Sequence, residues 1–419
     1  MAEEIIIVQG TGVLTGEVPV SGAKNSALKL MAASLLGGGT TAIHNVPLIS
    51  DIAIMSEVLR CLNARVEREG HTLVVDTGSV DKWETPYELV SKMRASIAVL
   101  GPLIGRFGQA RVAMPGGCQI GARKIDMHLV GLEALGVEFV VDHGFLEATT
   151  PHGLAGAHVV LDFPSVGATE NLLMAAVAAE GTTTVENAAR EPEIEDLQRF
   201  LCAAGAKISG AGTPEIAVAG FAPRAVTEHR VMPDRIAAAT YLCAAAAAGG
   251  DVLLTDAVPA HIETVCAVLR QMGCAVVAGS SSVRLRRSGA MRACRPVVTK
   301  PYPGFPTDAQ ALLMAASLRA DGTSVFVENI FENRFRHVAE LRRLGADIRT
   351  EGRVAMVTGV RRLTGAPLTA CDLRGGAAMV VAALAAEGES TVRDSGHIER
   401  GYDRLAETLR ALGADVRRE

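Results

Sequence analysis

A helix end with nearly the same sequence occurs six times in this chain of 419 residues, at intervals of about 70 residues. Each copy begins with leucine and has glycine or asparagine as its fifth residue, where a helix that stops in the left-handed conformation needs one. A strand-like run follows each copy, and the interval is longer than that of a solenoid repeat. The pattern therefore predicts six copies of one βα unit, ending helices at 59–64, 132–137, 201–206, 269–274, 341–346 and 409–414.

Alanine-rich helices lie upstream of several of these ends, each followed by a glycine turn and a β-branched strand. They are apolar on all sides, which predicts that they are buried. Because one unit is too small to hold a core alone, six units predict two domains of three units each. The predicted hinge is 226–234, between the third and fourth copies. A cleft between two such domains is the usual site for a small ligand, although a repeat scaffold that binds a protein also fits the pattern.

The composition is that of a globular chain, with 49% hydrophobic and 21% charged residues and a net charge of -5. This balance argues against general binding to nucleic acid or a membrane surface, which needs a basic excess. The eight cysteines are scattered without a C-x-x-C pair, which argues against a disulfide framework or a zinc cluster and predicts no metal. The acidic start lacks the pattern of a signal peptide, and the alanine run at 241–248 is too short to span a bilayer. We therefore expect a soluble, cytoplasmic protein.

One cysteine lies in a loop that is rich in glycine. Cys118 follows Gly116 and Gly117, and Arg123 comes five positions later. Because glycine permits backbone angles that other residues resist, this loop can change position. A thiolate in an electropositive, exposed place is reactive, whereas most free cysteines are small buried apolar residues. The residues of the loop alone leave both interpretations open.

Charged residues stand at the start of several apolar helices, where a purely structural repeat needs none. Lys24, Arg94 and Arg374 are cations at positions that the helix dipole disfavours, which indicates anion binding rather than capping. Asp234 and Asp308 are better explained, each taken alone, as helix caps. Three other segments have charges of the solvated loop kind, at 191–196, 332–335 and 397–402.

Six motifs match a known family: SGAKN at 21–25, GGC with GAR at 116–123, SVGAT at 165–169, ENAAREPE at 186–193, FPTD at 305–308 and ENRF at 332–335. Together they resemble the enolpyruvyl transferases, and within that family the members that use UDP-N-acetylglucosamine. The resemblance covers essentially the whole chain. It implies an α/β fold, the inside-out α/β barrel, with two lobes of three βα repeat units each. The first lobe would be 22–229, and the second would combine 1–21 with 230–419.

The resemblance also implies a reaction. Enolpyruvate would pass from phosphoenolpyruvate to the 3′-hydroxyl of UDP-N-acetylglucosamine by addition and elimination, with release of phosphate. This would be the first committed step of peptidoglycan synthesis, and hence of cell-wall biogenesis, cell shape and cell division. It would use no cofactor and no metal, would bind neither nucleic acid nor membrane, and would be a target of fosfomycin.

The family's motifs imply roles for individual residues. Cys118 would be the general acid toward the methylene carbon of phosphoenolpyruvate and could form a covalent adduct with it. Asp308 would be the base that accepts the proton of the 3′-hydroxyl. The implied phosphoenolpyruvate ligands are Lys24, Arg123 and Arg400, with Arg94 and Arg374 nearby. The implied contacts with the sugar nucleotide are Asn25, Ser165, Val166, Gly167, Thr307, Ile330 and Arg334.

One position departs from the pattern of the family. Members of the family often have a lysine before the Ser-Val-Gly motif, where this chain has Phe163 or Pro164, so a cation expected near the diphosphate is lost.

Two other functions are alternatives to this one. The shikimate-pathway enolpyruvyl transferase shares the fold and the phosphoenolpyruvate cations, but the Cys118 loop and the motif at 165–167 argue against it. A non-catalytic regulatory paralogue would not need to retain both Cys118 and Asp308.

Overall fold

The structure, a computed structural model, describes residues 4–10, 12–90, 94–114, 125–221 and 224–419, without the side chains of residues 90 and 94–96. These residues form two compact units. The first unit comprises 22–114 and 125–232, and the second comprises 4–21 and 233–419. Each unit has its own hydrophobic core.

The chain begins with two strands of the second unit and then builds the first unit from three repeats. Each repeat has a buried helix, a strand, an outer helix and a hairpin. The two leading strands are β1 (Glu4–Gln9) and β2 (Leu14–Pro19). The first repeat contains α1 (Lys24–Ala33), β3 (Thr40–His44), α2 (Ser50–Cys61), β4 (Arg65–Glu69) and β5 (Thr72–Asp76). The second contains α3 (Tyr87–Val90), a 3-10 turn (Arg94–Val99), α4 (Leu100–Phe107), β6 (Gln109–Ala113), α5 (Asp126–Ala134), β7 (Glu138–Asp142) and β8 (Phe145–Thr149).

The third repeat completes the first unit, and the second unit repeats the same order three more times. The third repeat contains β9 (His158–Val160), α6 (Val166–Ala176), β10 (Thr182–Glu186), α7 (Pro192–Ala203), β11 (Lys207–Ser209) and β12 (Glu215–Ala219), followed by β13 (Glu228–Arg230). The fourth contains α8 (Arg235–Ala248), β14 (Gly250–Thr255), α9 (Glu263–Gln271), β15 (Ala275–Ala278) and β16 (Val283–Arg287). The fifth contains β17 (Val297–Val298), α10 (Thr307–Ser317), β18 (Thr323–Val327), α11 (Val338–Arg343), β19 (Asp347–Glu351) and β20 (Val354–Thr358). The sixth contains β21 (Pro367–Thr369), α12 (Leu373–Ala383), β22 (Glu389–Asp394), a 3-10 turn (Ile398–Arg400), α13 (Leu405–Ala411) and β23 (Asp415–Arg418).

Each repeat forms its own small sheet among the described residues. The strand before a buried helix pairs in parallel with the strand after it, as β9 with β10, β17 with β18 and β21 with β22. Parallel strands need a long crossover connection, which is usually a helix. Three sheets are completed by a strand that is distant in sequence: β13 joins β3, β2 joins β14, and β1 lies between β22 and β23.

The six predicted helix ends are confirmed. The second residue after each outer helix has a positive φ, from 71° at Asn63 to 102° at Gly273. A side chain with a Cβ is strained in this conformation, which glycine adopts freely and asparagine tolerates. The four glycines at the other ends are Gly136, Gly205, Gly345 and Gly413.

The buried position of the apolar helices is also confirmed. In the second unit α8, α10 and α12 pack against one another, and almost every residue along them is buried. Alanine and glycine predominate in these helices, which lets their axes approach closely. Among the residues that the structure describes, no helix has the length and apolar run that a membrane crossing requires.

Candidate active site

Asp308 is the centre of a buried ionic cluster in the second unit. It is the second residue of α10, and its carboxylate accepts hydrogen bonds from two arginines. Arg334 Nη2 lies 2.7 Å from Oδ1, and Arg374 Nη2 lies 3.2 Å from Oδ2. Both guanidinium side chains are 3% exposed, whereas that of Asp308 is 27% exposed. Two buried cations thus fix the direction of a carboxylate that still faces solvent.

The capping prediction is confirmed for Asp234 and wrong for Asp308. Asp234 is the N-cap of α8, and its Oδ1 accepts from the backbone N–H of Ile236 at 2.8 Å and of Ala237 at 3.0 Å. The N-cap of α10 is Pro306, so Asp308 lies inside the first turn. Its carboxylate turns to the two guanidinium groups, because charge-assisted hydrogen bonds are about twice as strong as neutral ones.

Arg334 is buried, so the prediction of a solvated charge at 332–335 is wrong for this residue. Its Nη2 also donates to the backbone oxygen of Thr307 at 3.3 Å. His337 Nδ1 lies 3.1 Å from the backbone oxygen of Arg334. Burial lowers the pKa of His337 to about 4, so its ring is neutral at pH 7. The arginine is therefore held by contacts on both its side chain and its backbone.

Arg374 is held at the start of α12. Asp372 caps this helix and accepts from the N–H groups of Arg374 and Gly375 at 3.0 Å each. Burial favours the neutral form of Asp372, but the charge of Arg334 and the hydrogen bond from Gly375 outweigh it and lower its pKa. Burial would also lower the pKa of Arg374, but Tyr402 and Asp308 outweigh burial and raise it. Arg374 therefore stays charged although it is buried.

Thr307 and Ile330 join the same cluster through a residue that the sequence analysis missed. The carboxylate of Glu328 accepts from Thr307 Oγ1 at 3.0 Å and from the backbone N–H of Ile330 at 2.8 Å. Glu328 directly follows β18 and is 1% exposed. The sequence feature that could have pointed to Glu328 is an acidic residue directly after a strand that contains β-branched residues.

Arg400 lies in the 3-10 turn after β22 and is half-buried. Asp394 holds this turn by accepting from the N–H groups of His397 and Ile398 at 2.8 and 2.9 Å. The turn packs against α12, the helix that contains Arg374. The charged residues at 397–402 are not buried, since Glu399 is exposed and His397 and Arg400 are half-buried, whereas the uncharged Ile398 and Tyr402 are buried.

In the first unit, Lys24 and Asn25 are the first two residues of α1. Lys24 Nζ lies 2.6 Å from an oxygen of Asp51 in the first turn of α2, and the two side chains are 10% and 2% exposed. Asn25 is half-buried. A lysine at a helix start is unfavourable for the dipole, and a carboxylate of the neighbouring helix compensates for it.

Asp196 also holds the start of α1, and it shows that 191–196 is not a solvated segment. It is 1% exposed and accepts from Ser26 Oγ at 2.5 Å, His229 Nε2 at 3.1 Å and the N–H of Met232 at 3.2 Å. Burial favours the neutral acid, but the hydrogen bonds from His229 and Ser26 outweigh it and lower the pKa of Asp196. No sequence motif pointed to a buried role for Asp196.

Ser165, Val166 and Gly167 form the start of α6. Ser165 is the N-cap, and its hydroxyl oxygen accepts from the N–H of Ala168 at 3.4 Å. A Cβ at Gly167 would lie 3.1 Å from the ring of His128, so little room is left for a side chain there. Phe163, where the family often has lysine, is 43% exposed. The free N–H groups of a helix start suit an anion such as a diphosphate.

Three predicted residues cannot be placed. Cys118 and Arg123 lie outside the described residues, as does the side chain of Arg94. The structure thus brings Thr307, Asp308, Ile330, Arg334 and Arg374 together in the second unit. It puts Lys24 and Asn25 at the start of α1, and 165–167 at the start of α6. Within the described residues, no group of three or more acidic, histidine or cysteine side chains could hold a metal ion.

Known proteins resemble the chain over nearly its whole length. The UDP-N-acetylglucosamine 1-carboxyvinyltransferase 1 of Symbiobacterium thermophilum is 49% identical, over 99% of this chain and 95% of the relative. The UDP-N-acetylglucosamine 1-carboxyvinyltransferase of Myxococcus xanthus is also 49% identical, over 99% of both chains.

Solved structures show the same fold. The enolpyruvyl transferase NikO from Streptomyces tendae superposes with a TM-score of 0.87 at 27% identity, over 99% of both chains. An EPSP synthase from Acinetobacter baumannii gives 0.75 at 19% identity, over 100% of both chains. The predicted inside-out α/β barrel of the enolpyruvyl transferases is confirmed. Residues 8–409 match the family model described as EPSP synthase (3-phosphoshikimate 1-carboxyvinyltransferase). The chain belongs to this family of enolpyruvyl transferases.

Proposed function

We propose that this enzyme transfers enolpyruvate from phosphoenolpyruvate to the 3′-hydroxyl of UDP-N-acetylglucosamine and releases phosphate. The observation that supports it most directly is the Asp308 carboxylate, which is fixed between Arg334 and Arg374 and open on one side. The names of the relatives at 49% identity support UDP-N-acetylglucosamine as the acceptor. The reaction is the first committed step of peptidoglycan synthesis.

The base in this reaction is Asp308. Its Oδ1 accepts a hydrogen bond from Arg334, and its Oδ2 accepts two from Arg374, through Nε and Nη2. A hydroxyl that approaches the exposed edge of the carboxylate can pass its proton to it as the hydroxyl oxygen attacks C2 of phosphoenolpyruvate. The paired arginines reduce basicity but fix the position of the carboxylate, and alignment alone is worth several kcal/mol.

The acid in this reaction is Cys118, which protonates the methylene carbon while the new C–O bond forms. The tetrahedral intermediate then loses phosphate and a methyl proton, which restores the enol ether. The cations that bind phosphoenolpyruvate are Lys24, Arg123 and Arg400, with Arg94 and Arg374 nearby. Cations that are already in place when charge develops lower the barrier without reorganisation. The ion pair of Lys24 with Asp51 supports this proposal, because it fixes the position of one of these cations.

The sugar nucleotide is bound by the helix starts. Ser165, Val166 and Gly167 present the N–H groups of α6 to the diphosphate, with Phe163 in place of the usual lysine. Thr307, Ile330, Arg334 and Asn25 contact the sugar and nucleotide. The enzyme acts in the cytoplasm, where both substrates are made, and serves cell-wall growth and cell division.

The test is a phosphate-release assay with purified, folded protein, phosphoenolpyruvate and UDP-N-acetylglucosamine. We expect release only when both substrates are present. A parallel reaction replaces the sugar nucleotide with shikimate 3-phosphate, because the family model bears the name of the shikimate enzyme. If phosphate is released with shikimate 3-phosphate but not with UDP-N-acetylglucosamine, the enzyme catalyses the shikimate reaction instead. If no phosphate is released with either acceptor, enolpyruvyl transfer is contradicted.

The role of Cys118 is tested by fosfomycin, an epoxide that a thiolate opens to form a stable thioether. We expect intact-mass spectra to show one added fosfomycin on the wild type. The Cys118→Asp variant should not be labelled, because a carboxyl group still donates a proton but does not form the thioether. Peptide mapping that places the label on another of the eight cysteines would remove Cys118 from the mechanism.

A further inference from the structure

Glu328 is a buried carboxylate whose hydrogen bonds converge on the elements around the proposed base. It is 1% exposed and follows β18 directly. Its Oε1 accepts from Thr299 Oγ1 at 2.9 Å and from the N–H groups of Ile330 at 2.8 Å and Phe331 at 3.1 Å. Its Oε2 accepts from Thr307 Oγ1 at 3.0 Å. Both oxygens are thus used by named donors.

This arrangement explains how a carboxylate persists in the interior. Burying an ionised group is costly unless hydrogen bonds replace the lost water, and four donors do so here. The donors come from three places: the segment before α10, the first residue of α10, and the loop after β18. One side chain therefore ties the loop at 329–331 to the start of α10.

The same loop reaches the start of α10 a second time. Arg334 Nη2 donates to the backbone oxygen of Thr307 at 3.3 Å and to Asp308 Oδ1 at 2.7 Å. Glu328 accepts a hydrogen bond from the side chain of Thr307. Arg334 donates to the backbone oxygen of Thr307 and to the side chain of Asp308. The position of Asp308 relative to Ile330 is therefore set from both sides of the loop.

We propose that Glu328 is a positioning residue that sets the sugar-nucleotide side of the site, through Thr307 and Ile330, relative to the base Asp308. This inference rests on the proposed function, because Thr307 and Ile330 are the acceptor contacts in it. Glu328 itself does not touch the reacting atoms. A displacement of about 1 Å in a reacting geometry can cost about 100-fold in rate, so a group that fixes two contacts together has a large indirect effect.

The first variant is Glu328→Gln, which keeps the shape but replaces one acceptor oxygen with a donor. It cannot accept from both Thr307 and the Ile330 and Phe331 amides. We expect kcat/KM for UDP-N-acetylglucosamine to fall about 10- to 100-fold, with KM for phosphoenolpyruvate changed less than about twofold. In the substrate-free protein, hydrogen exchange at the Ile330 and Phe331 amides should become faster, because a neutral amide oxygen is a weaker acceptor than a carboxylate oxygen.

The matched control is Thr299→Val, which removes a different donor from the same carboxylate. Thr299 is buried and lies outside the proposed substrate contacts. If Glu328 were only structural, both variants would lower Tm and affect the two KM values alike. We expect Thr299→Val to lower Tm while the KM for UDP-N-acetylglucosamine stays within about twofold of the wild type, because the Thr299 hydroxyl bonds to Glu328 and the Asn329 amide rather than to Thr307 or Ile330.

A second variant keeps the proposal testable if Glu328→Gln does not fold. Thr307→Val removes only the hydroxyl and leaves three donors on Glu328, and we expect a loss in the same direction. Where both single variants fold, the two losses should not add in the double variant, because both break the hydrogen bond between Thr307 and Glu328. Additive losses, or equal changes in the two KM values, would overturn the proposal. Hydrogen exchange needs no turnover. If the wild type releases no phosphate and the proposed function is contradicted, the exchange rates of the Ile330 and Phe331 amides still show whether Glu328 holds this loop.

Discussion

The starts of α1 and α10 occupy the same place in their repeats but have opposite charge. At α1 the helix provides the cation, Lys24, and Asp51 of the next helix provides the anion at 2.6 Å. At α10 the helix provides the anion, Asp308, and two later segments provide Arg334 and Arg374. In both cases the charge in the first turn is paired by a buried side chain from the same unit.

In the proposed function, this difference lets a repeated scaffold serve two chemical tasks. The first N–H groups of a buried helix have no partner within the helix, and the helix start has a fixed direction. In the proposal, the side chain placed there decides whether the site binds an anion or accepts a proton. Asp308 is 27% exposed, whereas Lys24 is 10% exposed. The proposed base is thus the more open of the two groups, as a group that must meet a hydroxyl should be.

The largest difference between the two helix starts is expected for Asp308→Asn, because proton transfer is proposed only for the start of α10. An amide cannot accept the hydroxyl proton, and we expect kcat to fall about 10²- to 10⁴-fold. The matched control is Asp234→Asn at the start of α8, where asparagine caps as well as aspartate and turnover should be retained. Steady-state phosphate release measures both variants. A loss below about tenfold in Asp308→Asn, or equal losses in the two, would contradict the assignment.

The α1 start is tested by Asp51→Asn, which leaves a buried lysine without this counter-charge. Removing one partner of a buried pair costs about 3–5 kcal/mol of unfolding free energy. The control on the same helix is Glu57→Gln, whose partner Arg60 is exposed, and whose loss should cost at most about 0.5 kcal/mol. The only tryptophan of the chain, Trp83, lies in the first unit, so its fluorescence during urea unfolding reports on this unit. Equal costs for the two variants would show that the Lys24 pair is not effectively buried.

The second carboxylate at α1 gives a pH-dependent effect. The pKa of Asp196 is lowered, so its ionised form stabilises the fold above the ordinary aspartate pKa near about 3.9, and this contribution is lost as the pH falls through the folded value. At pH 7 we expect Asp196→Asn to be about 1.5–3 kcal/mol less stable than the wild type, as for hydrogen bonds to a charged group.

The measurement is urea unfolding followed by Trp83 fluorescence from pH 7 to pH 3. The difference between wild type and variant should be constant above about pH 5 and should shrink below about pH 4. A difference that does not change with pH would mean that Asp196 contributes through shape rather than charge.

The smallest effects are expected in the turns that end the outer helices, one turn in each unit. Gly345 has a φ of 90° with nothing within 4 Å of an added Cβ, so Gly345→Ala meets only backbone strain. That strain costs about 1–2 kcal/mol. Asn63 has a φ of 71°, and Asn63→Gly should change stability by less than about 0.5 kcal/mol, because glycine adopts this conformation freely. Calorimetry detects both changes, and a neutral Gly345→Ala would show that this turn relaxes.

The sequence alone predicted the features that depend on local residues. The turn glycines, Asn63 and the burial of α8, α10 and α12 follow from short patterns, and the structure confirms them. The identity of Asp308 as more than a cap came only from the family resemblance. Its partners could not be derived, because Arg374 is 66 positions away and contacts it only after two repeats have packed.

The two carboxylates that the sequence analysis missed show the same limit. Ser26 and Asp196 are 170 positions apart, and Glu328 gathers donors from 21 and 29 positions away. A buried acid in a sequence looks like a surface acid until its donors are known. Burial and partner together distinguish them, and both arise from tertiary packing rather than from local pattern.

The placement of β1 has a consequence for the order in which the protein is made. The backbone of Ile5 exchanges two hydrogen bonds of 2.9 Å with Glu419, and β1 pairs on both sides with strands of the sixth repeat. During translation, all strands of the first unit have left the ribosome once residue 232 has emerged. β1 cannot form its native pairs until β22 and β23 have been made, and unpaired edges promote aggregation. Among the described strands, β1 is thus made before the others but is among the last to pair.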